Sequence, residues 1–235
     1  MTARRALLAL VICGLLSAPV TTACSGGGSS AETAPQLLAR AKTTLDKTSS
    51  AHFVLTSQNA PTSGTVLVGG EGDIARPSSF AGTLKVLAAG ATVDLKVISV
   101  GGKVYAQLPF TSTYSVVDPK AFGFGDPGAL LDPQTGISQL LKAATGAKLG
   151  SEKRVDGEAV REVSAQLPGT LVQQILTSQD PAKPVAATFS VASGSGQLRR
   201  AVLTGPFFSA TQNATFTVDL SKFGAHVTIT APPTG

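Results

Sequence analysis

The sequence contains no tryptophan and few charges: aromatic residues make up 5% of its 235 positions and charged residues 14%. With 43% hydrophobic residues, so low a charge excludes a disordered, solvated chain. Histidine occurs only at His52 and His226, far apart in sequence, so no metal-ligand spacing is present. Both are read as surface or rim residues. No G-x-S-x-G elbow, Walker loop, H-E-x-x-H or dinucleotide fingerprint occurs. No catalytic residue, metal or cofactor is therefore assigned, and an enzyme is not expected. Lysine and arginine exceed aspartate and glutamate by 19 to 14. Arg4 and Arg5 lie in a segment expected to be removed, which leaves 17 against 14. The excess is scattered and not interleaved with aromatics, so a nucleic-acid partner is excluded. Four carboxylates, Asp118, Asp126, Asp132 and Asp180, each precede a proline. That pattern points to turn and helix-cap chemistry rather than to paired catalytic acids.

Cysteine is equally scarce, and the position of the two present is informative. Met1–Arg5 is a short basic stretch, and Ala6–Val20 is an apolar run of signal-peptide length. Thr21-Thr22-Ala23-Cys24 follows it. A small residue directly before a cysteine, at the end of such a run, resembles the lipobox of bacterial lipoproteins. There the thiol is the nucleophile that takes diacylglycerol, and cleavage leaves the cysteine as the first residue. Thr21 stands where lipoboxes favour an aliphatic residue, and Thr21 with Ala23 also suits ordinary signal peptidase. Cys13 lies inside the apolar run, so the mature chain keeps Cys24 alone and forms no internal disulfide. The expected organisation is a signal peptide over 1–23, a Gly/Ser-rich flexible tether over 24–34 starting at acylated Cys24, and one folded domain over 35–235.

A domain of about 200 residues without disulfides needs an apolar core of its own. Pro35 opens a pattern in which Leu37, Leu38, Ala41 and Leu45 recur at helical spacing. The period then changes to two. Strands are predicted over 51–58, 63–73, 80–88, 91–100 and 103–108, with Gly101-Gly102 as a hairpin signal. Phe53 and Leu55 lie in the first of these strands. Leu84 and Val86 alternate against Lys85; Val93, Leu95 and Val97 alternate against Asp94 and Lys96. Ile137, Leu140, Leu141 and Ala144 share a helix face, with Gly146 as its C-cap. Asp156-Gly157 marks a second hairpin, 169–176 reads as a short helix, and strands are predicted over 185–192, 197–203, 213–220 and 225–230. The fold class is α+β: a single domain built on a strongly curved antiparallel sheet.

Five strings occur in a fixed order: Ser50-Ala51-His52-Phe53-Val54-Leu55-Thr56, Leu131-Asp132-Pro133-Gln134-Thr135-Gly136-Ile137, Val155-Asp156-Gly157, the strand–turn–strand from Pro184 to Leu198, and Leu220-Ser221-Lys222-Phe223-Gly224 with Val227 and Ile229. From about Ala34 to Pro232 this series resembles the LppX/LprG-type lipoproteins of mycobacteria and related actinobacteria. The resemblance implies a half-barrel with helices on its concave side enclosing an apolar cavity. It implies an acylated envelope lipid or glycolipid as the ligand, and no catalysis. Phe53, Leu55, Leu84, Val86, Val93, Leu95 and Val97 are the candidate cavity wall, and Cys24 the lipidation site. The function expected is carriage of acylated lipid away from the plasma membrane. The protein would be exported and anchored at that membrane's outer face by its N-terminal lipid, with a membrane exporter as candidate partner. The alternative is a non-catalytic scaffold or chaperone of an envelope exporter or enzyme, with a closed core. A lipid hydrolase is the weakest alternative, for want of a nucleophile motif.

Overall fold

A computed structural model describes residues 32–234. The expected signal peptide, Cys24 and most of the expected tether fall outside these residues. The first helix begins at Ala34, one residue before the expected start of the domain at 35. Thr33 is the N-cap of α1 (Ala34–Lys47), with its side chain and that of Gln36 closing a reciprocal capping box. Arg40 holds Glu32 by a bidentate contact at 2.8 Å. Leu37, Leu38, Ala41 and Leu45 form the buried stripe of α1, as their spacing predicts. At its C-terminal end Arg76 donates to the carbonyls of Leu45 (3.2 Å) and Thr48 (2.6 Å), satisfying oxygens that the helix leaves open.

The rest is one antiparallel sheet. Its strands are β1 (Ser50–Gln58), β2 (Val66–Ala75), β3 (Ser79–Ala88), β4 (Ala91–Val100), β5 (Lys103–Gln107), β6 (Ser115–Val116), β7 (Thr145–Val155), β8 (Glu158–Leu167), β9 (Val185–Ala192), β10 (Leu198–Gly205) and β11 (Ala214–Ser221). The spatial order is β6-β5-β4-β3-β2-β1-β11-β10-β9-β8-β7. Two meanders thus run outward from a central seam where β1 and β11 pair from His52↔Ser221 to Gln58↔Thr215. Two short 3-10 helices, Pro119–Phe122 and Pro127–Leu131, then α2 (Ile137–Ala143), connect β6 to β7; α3 (Gly169–Val172) lies between β8 and β9. Asp118 and Asp126 cap the two 3-10 helices through the N–H groups of Lys120 and Gly128. These two Asp-Pro pairs are therefore caps here.

The glycines of β2 and β3 have a packing role. A Cβ on Gly72 would lie 2.4 Å from Cε2 of Phe80, and one on Gly82 would lie 2.7 Å from its Cζ. The Phe80 ring lies against the backbone at these two positions and is fully buried. It packs against Phe53 at 5.5 Å between centroids.

Three local expectations are corrected. Residues 225–230 form no strand. β11 already has β1 and β10 on its two sides, and the sheet's free edges are β6 and β7. The chain is turned off the sheet at Gly224, whose N–H donates to Ser50 O (2.9 Å), while Ser50 Oγ donates to Ala225 O (2.5 Å). Gly146 is not a C-cap: α2 stops at Ala143, and Gly146, with φ +62°, is the second residue of β7. The helix expected over 169–176 ends at Val172, because Leu176 pairs instead with Phe124.

Candidate functional site

Alternation along the central strands sends one set of side chains to the face that the helices cover. Between sheet and helices lies a cavity of about 310 Å³, at the lower end of the range for ligand sites. Phe53, Leu55, Leu67 and Leu84 line it from β1–β3, and Leu198, Ala201, Leu203, Val218 and Leu220 from β10 and β11. Ile137 and Leu140 of α2 face them. The cavity therefore straddles the β1–β11 seam.

Two connecting segments close it. Gly125 N–H donates to Ile175 O at 3.0 Å, and Thr177 N–H donates to Gly123 O at 3.1 Å. This strap contributes Phe124, Ile175 and Leu176 to the lining. A Cβ at Gly125 would lie 2.3 Å from Gln174 O, so only glycine permits the approach. Asp126, Thr135 and Gln174 are the polar side chains among the lining residues. Asp126 Oδ1 is engaged locally, accepting from Ser99 Oγ (2.5 Å) and Gly128 N–H (2.8 Å). The wall is thus hydrocarbon with very little polar surface, which suits dispersion and water exclusion rather than bond-making chemistry.

Of the residues singled out in sequence, Phe53, Leu55 and Leu84 lie on this wall. Val86, Leu95 and Val97 are buried elsewhere in the same core, and Val93 is partly buried against it. They do not line the cavity. The 3-10 helix Pro127–Leu131 packs on β2, β3 and β4 and fills the space over that side of the sheet. The β10 and β11 lining residues escaped the sequence reading although their alternation was visible. The strap residues carry no periodicity that could have marked them. His52 Nδ1 lies 2.7 Å from Asp73 Oδ1 on the opposite face of β1 from Phe53, and His226 sits exposed in the C-terminal tail. Among the described residues no group of three or more His, Cys, Asp or Glu side chains is placed to hold a metal ion.

An open antiparallel sheet wrapped around an apolar cavity, with helices and a strap on its concave side, defines an α+β half-barrel. The chain belongs to the LppX_LprAFG lipoprotein family, whose model matches residues 33–229. It is similar to the lipoarabinomannan carrier protein LprG of Mycobacterium tuberculosis, with 29% identity over 224 residues, covering 93% of this chain and 92% of that one. It is also similar to lipoprotein LprA of the same species, with 31% identity over 173 residues, 69% of this chain and 66% of that one. The fold is shared with the crystal structure of LprF from Mycobacterium bovis (TM-score 0.70, 21% identity, 86% of this chain and 97% of that one). It is shared too with that of LppX from Mycobacterium tuberculosis (TM-score 0.61, 19% identity, 83% and 99%). The family and the half-barrel that the five strings imply are both found.

Proposed function

We propose that the protein is an exported lipoprotein that binds an acylated envelope lipid or glycolipid in the half-barrel cavity and carries it away from the plasma membrane. The observation that carries this reading is the cavity itself: about 310 Å³ lined almost wholly by aliphatic and aromatic side chains. Each methylene removed from water is worth about 0.8 kcal/mol, so a sixteen-carbon chain represents roughly 12 kcal/mol gross. Such a chain does not cross water unshielded at a useful rate. A protein cavity that replaces the bilayer lowers that barrier. The similarity to LprG, a lipoarabinomannan carrier, supports an acylated glycolipid as the ligand class. Native mass spectrometry of the protein purified from an actinobacterial host tests the reading. A co-purified acyl lipid is expected; an empty protein that takes up no lipid from vesicles contradicts it and favours the scaffold alternative.

Anchoring belongs to the same proposal. Cys24, the sole cysteine left once residues 1–23 are removed, takes the acyl groups and holds the protein at the outer face of the plasma membrane. Stable attachment needs more than one chain, which diacylglycerol on the thiol and a further N-terminal acyl group supply. Cys24→Ala is expected to abolish palmitate labelling and membrane retention in fractionated cells. Continued labelling of the variant would refute the anchor.

A further inference from the structure

The strand connections alternate between the two ends of the half-barrel, and the two ends differ in charge. One end gathers the connections 59–65, 89–90, 108–114 and 206–213, together with the longer 168–184. The first four contain no Asp, Glu, Lys, Arg or His at all, in a chain of which 14% is charged. The fifth carries Asp180 and Lys183, which pair with each other at 3.3 Å, and the segment that enters β7 at this end brings Lys142 in the last turn of α2. The opposite end presents Lys47, Arg76, Lys103, Asp156 and Lys222 in or beside its connections.

At the charge-poor end the β5–β6 connection, itself without charged side chains, holds Phe110 fully out in solvent, at 108% of its reference exposure, with Leu108 at 45% and the nearby Val116 at 60%. Phe110 has φ +66°, a conformation that a bulky aromatic residue rarely adopts. The loop is nonetheless held by hydrogen bonds. Gln107 Nε2 donates to Thr111 O (2.9 Å), and both Thr111 N–H (3.2 Å) and Thr111 Oγ1 (2.8 Å) donate to Leu108 O. A hydrogen-bonded turn thus presents a phenyl ring to water against its own backbone preference. Exposed aromatic surface costs free energy in water, and a fixed presentation of it marks a contact site.

We propose that this end of the half-barrel is a membrane-contacting rim, with Phe110 and Leu108 inserting at the interface of a lipid bilayer. The chemistry favours a bilayer over a charged partner. Leu-Pro-Phe flanked by Thr, Ser and Tyr is an interfacial composition, and loops without ionisable groups enter the headgroup boundary at no charge-burial cost. The inference goes beyond ligand binding in the cavity: it concerns how the domain meets the membrane, and it can fail while the cavity still binds lipid.

The absence of tryptophan permits a direct test. Phe110→Trp places a lone fluorophore at the rim, and Lys103→Trp places one at the opposite, charged end; both positions are exposed, so core packing is untouched. Each full-length acylated protein is reconstituted into phosphatidylcholine vesicles with and without lipids brominated in the upper acyl chain. The indole of the Phe110→Trp protein is expected to emit at shorter wavelength than in detergent-free buffer, to be quenched by the brominated lipid, and to stay quenched at high salt. The indole of the Lys103→Trp protein is expected to stay water-exposed and unquenched. No quenching in either variant, or equal quenching in both, overturns the proposal. Concentration-dependent dimers of wild type that vanish in Phe110→Ser, with no quenching by bilayer lipid, would assign the rim to a second copy of the chain and also overturn it. Bound lipid is counted by native mass spectrometry in the same preparations. Normal loading alongside absent quenching confines the failure to the rim.

Discussion

The two meanders supply one cavity but are secured differently. In the amino-terminal half, β1–β6, the fit is steric. The Phe80 ring occupies the space that side chains at Gly72 and Gly82 would need, and it leans on Phe53. Ion pairs there are few, His52–Asp73 and Lys85–Asp94. The carboxy-terminal half, β7–β11, carries Lys153–Glu162, Arg161–Glu152, Arg199–Glu158 and Arg200–Asp219. Its edge strand β7 is almost entirely exposed, holds Lys148, Lys153 and Arg154, and slips register twice against β8. Charge and bulges on an edge discourage pairing with other chains. The opposite edge, β6, is blunted simply by being two residues long. The lesson is that the half on which the sequence places its smoothest aliphatic alternation depends on exact volumes. The other half tolerates more, because much of its distinctive chemistry lies in partly exposed pairs.

That contrast can be broken experimentally. Phe80→Ala should have the largest effect, destabilising the protein by about 3–5 kcal/mol in denaturant titration. A loss below 1 kcal/mol would show that the amino-terminal half is not tightly packed. Gly72→Ala should cost about 1–3 kcal/mol or somewhat more, because the added methyl meets Phe80 and the carbonyl of Ala81. Its combination with Phe80→Ala should then cost less than the two separate losses added together, since the ring that the methyl strikes is gone. A smaller, pH-dependent effect is expected at Asp132. The N–H of Gln134 beside it, helped by that of Thr135 and the Thr135 hydroxyl, holds its carboxyl below the usual carboxylate range against a raising effect of burial. A depressed folded value contributes stability above the unfolded carboxylate pKa, and that contribution is lost as pH falls through the folded value. Asp132→Asn should therefore lower Tm in the neutral region, where the carboxylate contributes, and leave it close to wild type at low pH, so that the acid limb is flatter. An identical acid limb in the variant would contradict the assignment. Least of all, Glu152→Gln, which removes an exposed partner of Arg161, should shift stability by about 0–1 kcal/mol.

Much of this fold was legible because its strands are half-buried. Period-two alternation located β3, β4 and β5 closely, and Asp156-Gly157 marked the β7–β8 turn. What the periodicity could not supply was the spatial order. The meeting of β1 with β11 is a long-range pairing, and it is this seam that brings Leu203, Val218 and Leu220 opposite Phe53 and Leu55. The candidate wall was consequently drawn along one meander, through Leu95 and Val97, where the 3-10 helix Pro127–Leu131 packs. Residues 225–230 alternate like a strand, yet β11 offers them no free side. The strap is irregular backbone, and its pairing follows from the cavity it closes rather than from any local propensity.

The central claim is that the space between the two meanders holds lipid, and Leu84→Trp tests it most directly. Leu84 is 2% exposed and lies on the cavity wall. The measurement is bound acyl lipid per protein, for wild type and variant after delipidation and incubation with donor vesicles, with Tm recorded alongside. If the space is a lipid site, the indole projects into volume that acyl chains would fill, so lipid uptake falls sharply while Tm stays close to wild type. If the space is ordinary core, overpacking costs about 1–3 kcal/mol; Tm then drops and neither protein takes up lipid, which would contradict the account.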